Sequence, residues 1–303
     1  MQKQRIKVGI AGVGRFGSRH LDKWLDLNDA EIVGFYDIDP FVCEKISREK
    51  GIPHLSLDTL LKHIDVLDIV TPGSAHFAVA KSALQAGKHI FVEKPFTEFE
   101  AQAAELSALA AEKGLLVGVG HIEHFNPVFR ALKKQLPAIP KKIFAYRQGP
   151  FLPGVGVDVS IVLELMIHDI ELVTQLLPYP LRSIDAQGEI IYSDRADRAT
   201  ATLEFDNGTV ATLYASRAEE SRRREMICHT SSGTYTANFM ERGLELPGNT
   251  DPVIFECNDA MAEELRSFLN AVKRGNKPEI NEEHGLRSVS IANRIEEAVL
   301  RNS

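Results

Sequence analysis

A chain of 303 residues suggests about two domains, each able to bury its own core. Its 44% hydrophobic and 25% charged content are those of an ordinary globular protein, and the net charge of −7 argues against nucleic acid or an anionic membrane as partner. Cys43, Cys228 and Cys257 are odd in number and far apart, so neither a disulfide framework nor a metal site is expected; with no signal peptide and no apolar stretch of membrane length, the chain reads as cytoplasmic.

The run from Ile6 to Ala11 is β-type, Gly12-Val13-Gly14-Arg15-Phe16-Gly17 follows at once, and Leu21, Trp24 and Leu25 then recur at helical spacing. Strand, G-x-G-x-x-G, helix is the setting a dinucleotide-binding loop requires. Gly12 permits the tight turn, Gly14 lets backbone approach the pyrophosphate, and Gly17 allows helix and strand to pack closely. The helix N-terminus offers its free N–H groups to the phosphates. Glycine turns of similar spacing also serve purely structural ends. A second β-type run, 31–36, ends at Asp37, where an acid can accept both ribose hydroxyls of the adenosine half. It also repels the 2′-phosphate of NADP, and residues 38–40 supply no arginine, so NAD is favoured over NADP. Asp39 can cap a helix over 41–50.

The alternation continues with a strand at 65–70, a helix at 75–86, a strand at 88–92, a helix at 98–113 closed by Gly114, and a strand at 115–119. Strands alternating with helices of this length predict βαβ units and a parallel sheet. Thr71-Pro72-Gly73-Ser74-Ala75-His76 and Glu93-Lys94-Pro95 both stand at carboxyl ends of their strands, where open α/β sheets hold ligands. Thr71 or Ser74 can cap the helix that follows, and His76 is either a cofactor contact or surface. Lys94, alone, would be a solvated strand end.

Near residue 120 the pattern changes. A short helix at 128–135 and a strand at 142–146 precede a long helix within 159–177, ended by Pro178. Then come β-type runs at 183–192, 199–205, 209–216, 225–230 and 234–239, with Asp206-Asn207-Gly208 as a hairpin signal. The expected architecture is an α/β Rossmann domain with a parallel sheet (1–122), followed by an α+β domain with a large, mostly antiparallel open sheet (123–303). The C-terminal helix is free to pack back toward the first domain. An open antiparallel sheet needs a cover on its outer face, which points to a homodimer or homotetramer. In the long helix, Glu164 and His168 are four apart and share a helix face, with Asp169 one step round. A histidine in such apolar company is usually a satisfied core residue. Arg222-Arg223-Arg224 reads as a solvated strand face or subunit contact.

Together these pieces resemble the glucose–fructose oxidoreductase, inositol dehydrogenase and MocA (Gfo/Idh/MocA) family of nicotinamide-dependent oxidoreductases, over essentially the whole chain. The resemblance is carried by Gly12 to Gly17, Thr71-Pro72 with His76, Glu93-Lys94-Pro95, and the helix containing His168-Asp169. Within the family, Gly120-His121-Ile122-Glu123, Phe125-Asn126-Pro127, Val157-Asp158-Val159 and the stretch 165–170 are most similar to the sugar-nucleotide members, the UDP-N-acetylglucosamine 3-dehydrogenases. That implies oxidation at C3 of the sugar with NAD, giving a 3-keto sugar nucleotide for a partner aminotransferase. It implies cofactor contacts at Gly12, Gly14, Arg15, Phe16, Gly17, Asp37, Thr71, Pro72, His76, Glu93 and Lys94, substrate contacts at Lys94, Asn126, Glu164 and His168, and no metal.

The resemblance implies His168 as general base, oriented by Glu164, with Lys94 hydrogen-bonding the same substrate oxygen; the reverse, with a neutral Lys94 as base, stands beside it. Two departures bear on this. The family usually has Asp one helical turn before the histidine, where this chain has Glu164, and many relatives have Arg where it has His124. Two other readings are a dehydrogenase or reductase of a free sugar, an inositol or another small carbonyl compound, and a non-catalytic NAD-binding regulator.

Overall fold

The computed structural model describes residues 5–153, 159–256 and 258–302, so Cys257 lies outside the described residues. The chain divides into two compact units, 1–120 with 261–286, and 121–260 with 287–303.

In the first unit, β1 (Ile6–Ala11), β2 (Ala30–Tyr36), β3 (Val66–Ile69), β4 (His89–Glu93) and β5 (Val117–Gly120) form a parallel sheet in the order β2-β1-β3-β4-β5. Its order switches direction between β1 and β3, so the ligand crevice of such a sheet lies outside the carboxyl ends of these two strands. The helices α1 (Gly17–Leu25), α2 (Pro40–Lys50), α3 (Leu57–His63), α4 (His76–Gln85) and α5 (Glu100–Lys113) connect the strands. Every residue of β3, Val66-Leu67-Asp68-Ile69, is buried, the mark of a central parallel strand. α1 buries Gly17, His20, Leu21 and Trp24, a stripe at helical spacing.

The helix ends follow local chemistry. Asp39 accepts the N–H of Phe41 at 2.9 Å, Pro40 opens α2, and Gly51 closes it with φ +69°. Gly114 closes α5 in the same left-handed conformation, as the sequence predicts. α3, capped by Ser56, is additional to the sequence reading. The return of 261–286 to this unit is made by α8 (Ala260–Arg274) and the start of α9 (Glu282–Arg301). Phe268 packs on Phe91 with ring centroids 5.4 Å apart, and a Cβ on Gly118 would stand 2.6 Å from the Phe268 ring, so glycine is what lets α8 lie this close to β5. Burying one phenylalanine contributes about 1.5–3 kcal/mol.

The second unit opens with a 3₁₀ turn (Ile122–Phe125) and α6 (Pro127–Gln135). Its sheet contains β6 (Lys142–Gln148), β7 (Leu181–Glu189), β8 (Arg198–Phe205), β9 (Val210–Ser216), β10 (Arg223–Thr230), β11 (Gly233–Asn238), β12 (Gly243–Glu245) and β13 (Val253–Ile254), in the order β13-β12-β11-β10-β6-β9-β8-β7. All neighbours are antiparallel except β6 with β9. The Asp206-Asn207-Gly208 turn joins β8 to β9, with Gly208 at φ +79° and the Asn207 amide bonded to Thr209. The long helix starts as a π turn (Val162–Met166) and continues as α7 (Ile167–Leu176). Its last carbonyls are satisfied from α9: Arg287 donates to the carbonyls of Thr174, Leu177 and Tyr179 at 3.2–3.3 Å. No helix among the described residues is long and apolar enough to cross a membrane.

Candidate active site

The first unit gathers Gly12, Asp37, Thr71, His76, Glu93 and Lys94 around the carboxyl edge of its sheet. Gly12 has φ +87°, and a Cβ there would stand 2.7 Å from the backbone N of Thr71; one on Gly17 would be 1.9 Å from the Gly12 carbonyl. Both glycines are demanded by the backbone itself. Gly14 is different: a Cβ there meets nothing within 4 Å, so the protein leaves the space above this glycine open. Arg15 and Phe16 are exposed at the loop tip. The Asp37 carboxylate already has two tasks, accepting the N–H of Val13 at 2.8 Å and of Asp39 at 3.0 Å, which tie the glycine loop to the end of β2. Thr71 Oγ1 is buried without a hydrogen-bond partner at the end of β3. An open cradle, an orphaned hydroxyl and a free helix N-terminus fit a dinucleotide.

Two expectations for this edge change. Neither Thr71 nor Ser74 caps a helix through its side chain, because a 3₁₀ turn (Gly73–Ala75) intervenes before α4. Pro72, just before that turn, is exposed. His76 is not surface. It is 1% exposed, with Nδ1 2.6 Å from the Pro95 carbonyl and Nε2 2.9 Å from the Thr71 carbonyl. Burial pushes its pKa down, so the ring is neutral and only one nitrogen donates. Both nitrogens face backbone carbonyls, and the one that carries the proton ties the His76 ring to the loop it donates to. Glu93 is buried, its Oε2 accepting the Lys94 N–H at 3.2 Å, and the Lys94–Pro95 peptide is cis.

Asn126, Glu164 and His168 belong to the second unit. Asn126 was expected at the substrate, but its amide is engaged locally. Oδ1 accepts the Val128 N–H at 3.0 Å as N-cap of α6, and Nδ2 donates to Glu123 Oε2 at 3.0 Å. The four-residue spacing of Glu164 and His168 runs across the π turn, a wider turn than the α-helix assumed from the sequence. Both are half-buried. The expected positions Val157 and Asp158 lie outside the described residues.

Arg147 was missed. It is 2% exposed, its Nε and Nη2 on the two oxygens of Asp169 at 2.9 and 3.0 Å and its Nη1 on Glu123 Oε1 at 2.8 Å. Burial disfavours the guanidinium charge, but Asp169 and then Glu123 outweigh it; Arg147 in return overcomes burial at Glu123 and holds that carboxyl below its usual range. The signal was present, since Ile143, Ala145 and Arg147 occupy the inward phase of β6. His124, at the family's arginine position, faces the buried Glu171 at 3.6 Å.

A cavity of about 200 Å³ opens beside this cluster, lined among others by Arg147, Glu164, Arg217, Arg222 and Arg224. Arg217 is held by Asp197 at 2.7 Å, and Arg224 lies 3.8 Å from Glu123. Arg222 has no ion-pair partner among the described residues. The basic run therefore contributes Arg222 and Arg224 to a cavity wall, while Arg223 lies over the Tyr146 ring at 3.7 Å. No group of three or more His, Cys, Asp or Glu side chains among the described residues could hold a metal ion.

Residues 6–121 match the family model described as oxidoreductase family, NAD-binding Rossmann fold, and residues 155–236 match the GFO/IDH/MocA C-terminal domain. This chain belongs to the Gfo/Idh/MocA family. As a member it is a dehydrogenase that binds a nicotinamide dinucleotide and acts on a small molecule, which sets aside the non-catalytic reading. The UDP-N-acetylglucosamine 3-dehydrogenase of Acidithiobacillus ferrooxidans is 33% identical over 88% of each chain. Its solved structure superposes with a TM-score of 0.92, covering 97% of this chain and 98% of that one at 32% identity. The scyllo-inositol 2-dehydrogenase (NAD(+)) of Bacillus subtilis is 27% identical over 91% of this chain and 89% of its own. Scyllo-inositol dehydrogenase from Lactobacillus casei, solved with NAD(H) and scyllo-inositol, shares the fold at a TM-score of 0.84 and 22% identity, covering 99% and 98% of the two chains.

Proposed function

We propose that this family member oxidises a ring hydroxyl of a sugar nucleotide with NAD: the C3 hydroxyl of UDP-N-acetylglucosamine, giving the 3-keto sugar nucleotide that a partner aminotransferase consumes. The observation that carries this reading is the 33% identity over 88% of both chains with the Acidithiobacillus ferrooxidans enzyme. The arginine-lined cavity supports it. Arg224, its side chain 47% exposed, has its pKa pushed down by partial desolvation and by neighbouring Arg147, and an anionic group in the cavity would offset that positive charge. Glu164 on the same wall is an acceptor suited to a sugar hydroxyl.

Bound NAD supplies the hydride acceptor. His168 takes the hydroxyl proton and Lys94 steadies the oxygen that loses it; the alternative assigns the proton to a neutral Lys94. Glu164 orients His168, and Asn126 contacts the substrate through what its cap leaves available. Phe144, Tyr146 and Tyr214 stand half-buried on the outer face of the second sheet. A second copy covering them would make the homodimer or homotetramer, which light scattering reads directly.

The deciding experiment follows NADH formation with UDP-N-acetylglucosamine, N-acetylglucosamine 1-phosphate, N-acetylglucosamine and scyllo-inositol. Turnover confined to the nucleotide sugar is expected. The 27% identity with the Bacillus subtilis inositol enzyme favours a free polyol instead, and comparable kcat/KM with inositol or free sugar would establish that second reading.

NAD preference rests on Asp37. Asp37→Ser is expected to narrow the NAD-over-NADP ratio of kcat/KM by on the order of tenfold or more, because it removes a negative charge facing the 2′-phosphate. An unchanged ratio would take the preference away from Asp37.

A further inference from the structure

Helix α1 carries two polar side chains from the glycine loop into the centre of the first sheet. His20 and Trp24 lie one turn apart on its buried stripe, and both reach Asp68 of β3. His20 Nδ1 is 3.0 Å and the Trp24 indole nitrogen 2.7 Å from Asp68 Oδ2. The other ring nitrogen of His20 lies 3.2 Å from Glu93 Oε1 at the end of β4, an ion-pair contact without the alignment of a hydrogen bond. Glu93 Oε2 then accepts the backbone N–H of Lys94. The sequence makes room for that carboxylate, since a Cβ on Gly120 would stand 2.5 Å from Glu93 Oε1.

His20 and Asp68 are fully buried and Glu93 is 6% exposed. The rings of Phe16 and Phe91 flank the imidazole at centroid distances of 5.2 and 6.1 Å, and the charged groups facing it are Asp68 and Glu93. Burial alone would drive His20 to its neutral form, but Asp68 and then Glu93 outweigh it and hold its pKa well above the ordinary value, so both nitrogens carry protons. Stability does not require such a triad, because well-packed apolar side chains serve as well or better in the same volume. What the triad does is fix three elements to one another at the sheet edge where the lysine stands.

We propose that His20 is a positioning residue for the reaction: anchored on Asp68, it fixes the carboxylate of Glu93 and through it the backbone at Lys94, linking the glycine-loop helix to the turn that carries the lysine. The inference rests on the role proposed above for Lys94.

Two amide substitutions separate positioning from packing. His20→Gln extends a donor to the Nε2 position and keeps the contact with Glu93, whereas His20→Asn keeps a donor only near Nδ1, facing Asp68. The Gln variant is expected within about fivefold of parental kcat, and the Asn variant about 10²-fold below it, the size of an ångström-scale misplacement. KM for NAD is expected unchanged in both. In a Lys94→Ala background, His20→Asn should cause no further loss, since the two residues act in series. Equal kcat in the two amide variants, or an additive loss in the Lys94→Ala background, overturns the proposal. Parental turnover in Lys94→Ala itself would overturn the role of the lysine instead, so the two failures are told apart. Should His20→Asn not fold, Asp68→Asn keeps an acceptor for Trp24 and His20 while weakening the anchor. It is expected to lower kcat with the same non-additivity, and additivity there overturns the proposal equally.

Discussion

Lys94→Ala is expected to bind NAD as the parent does while losing turnover by roughly 10²–10⁴-fold, the range contributed by a positioned group that handles a proton or steadies developing charge. The glycine loop, Asp37 and the Thr71 edge are untouched by this change, so dinucleotide affinity measured by quenching or calorimetry should stay within about twofold of the parent. The loss belongs in kcat, because the contact proposed between the lysine and the substrate oxygen would strengthen as that oxygen becomes alkoxide-like. The pH dependence of kcat separates the two assignments. If His168 accepts the proton, the acid limb of the profile survives in Lys94→Ala at a lower rate and disappears in His168→Asn. If Lys94 accepts it, the limb disappears in the lysine variant. Unchanged turnover in Lys94→Ala would remove the lysine from the mechanism altogether.

Much of the fold was legible because its punctuation is chemical. Gly12, Gly51, Gly114 and Gly208 each occupy a left-handed backbone position that ends or turns an element. The period of the apolar residues distinguishes the parallel half from the antiparallel one. α3 was not legible, since its seven residues carry too short a period to stand out from the loop around it. β12 and β13 are three and two residues long, below any readable alternation.

At the candidate site, residue types were easier to read than residue duties. His76 and Asn126 were expected as cofactor and substrate contacts, but backbone groups already lie against the His76 ring, and the Val128 N–H and the Glu123 carboxylate already engage the Asn126 amide. His20, Asp68 and Arg147 were passed over because each looks unremarkable beside its neighbours in sequence. Burial reveals them: His20 and Arg147 lie on the inward phase of α1 and β6, and Asp68 lies in a strand buried throughout. A buried ionisable group needs a partner, and the partner lies 48 residues away for His20 and 22 for Arg147, beyond what spacing along the chain can show.

Arg147→Met is expected to destabilise the protein by about 3–5 kcal/mol, the cost of removing one member of a buried ion cluster and leaving the others uncompensated. Asp169 and Glu123 would remain buried with their cation gone; Arg224, 3.8 Å from Glu123, pairs with that carboxylate and acts on Asp169 only at longer range. Thermal unfolding followed by circular dichroism should show a midpoint lower by on the order of 10 °C. The sign of its pH dependence is fixed by the same cluster. In the parent, Arg147 holds the Glu123 carboxyl below its usual range, so this stabilisation is present above the unfolded carboxylate value of about 4.3 and is lost as pH falls through the lowered folded value. In the parent, burial already outweighs Arg147 at Asp169 and holds that carboxyl above its usual value; in the variant, loss of the cation pushes both carboxyl pKa values up, so lowering the pH toward 5 relieves more of the penalty there than in the parent. The gap between parent and variant should therefore narrow from pH 7.5 to about pH 5. A loss below about 1 kcal/mol, or a gap constant across that window, would mean the carboxylates find another partner or water in the folded chain. Because Asp169 follows His168 directly on α7, the same cluster sets where the histidine's helix begins against β6. The folded fraction of Arg147→Met should accordingly turn over more slowly than the parent, and Asp169→Asn, which keeps one acceptor for the guanidinium, should sit between them.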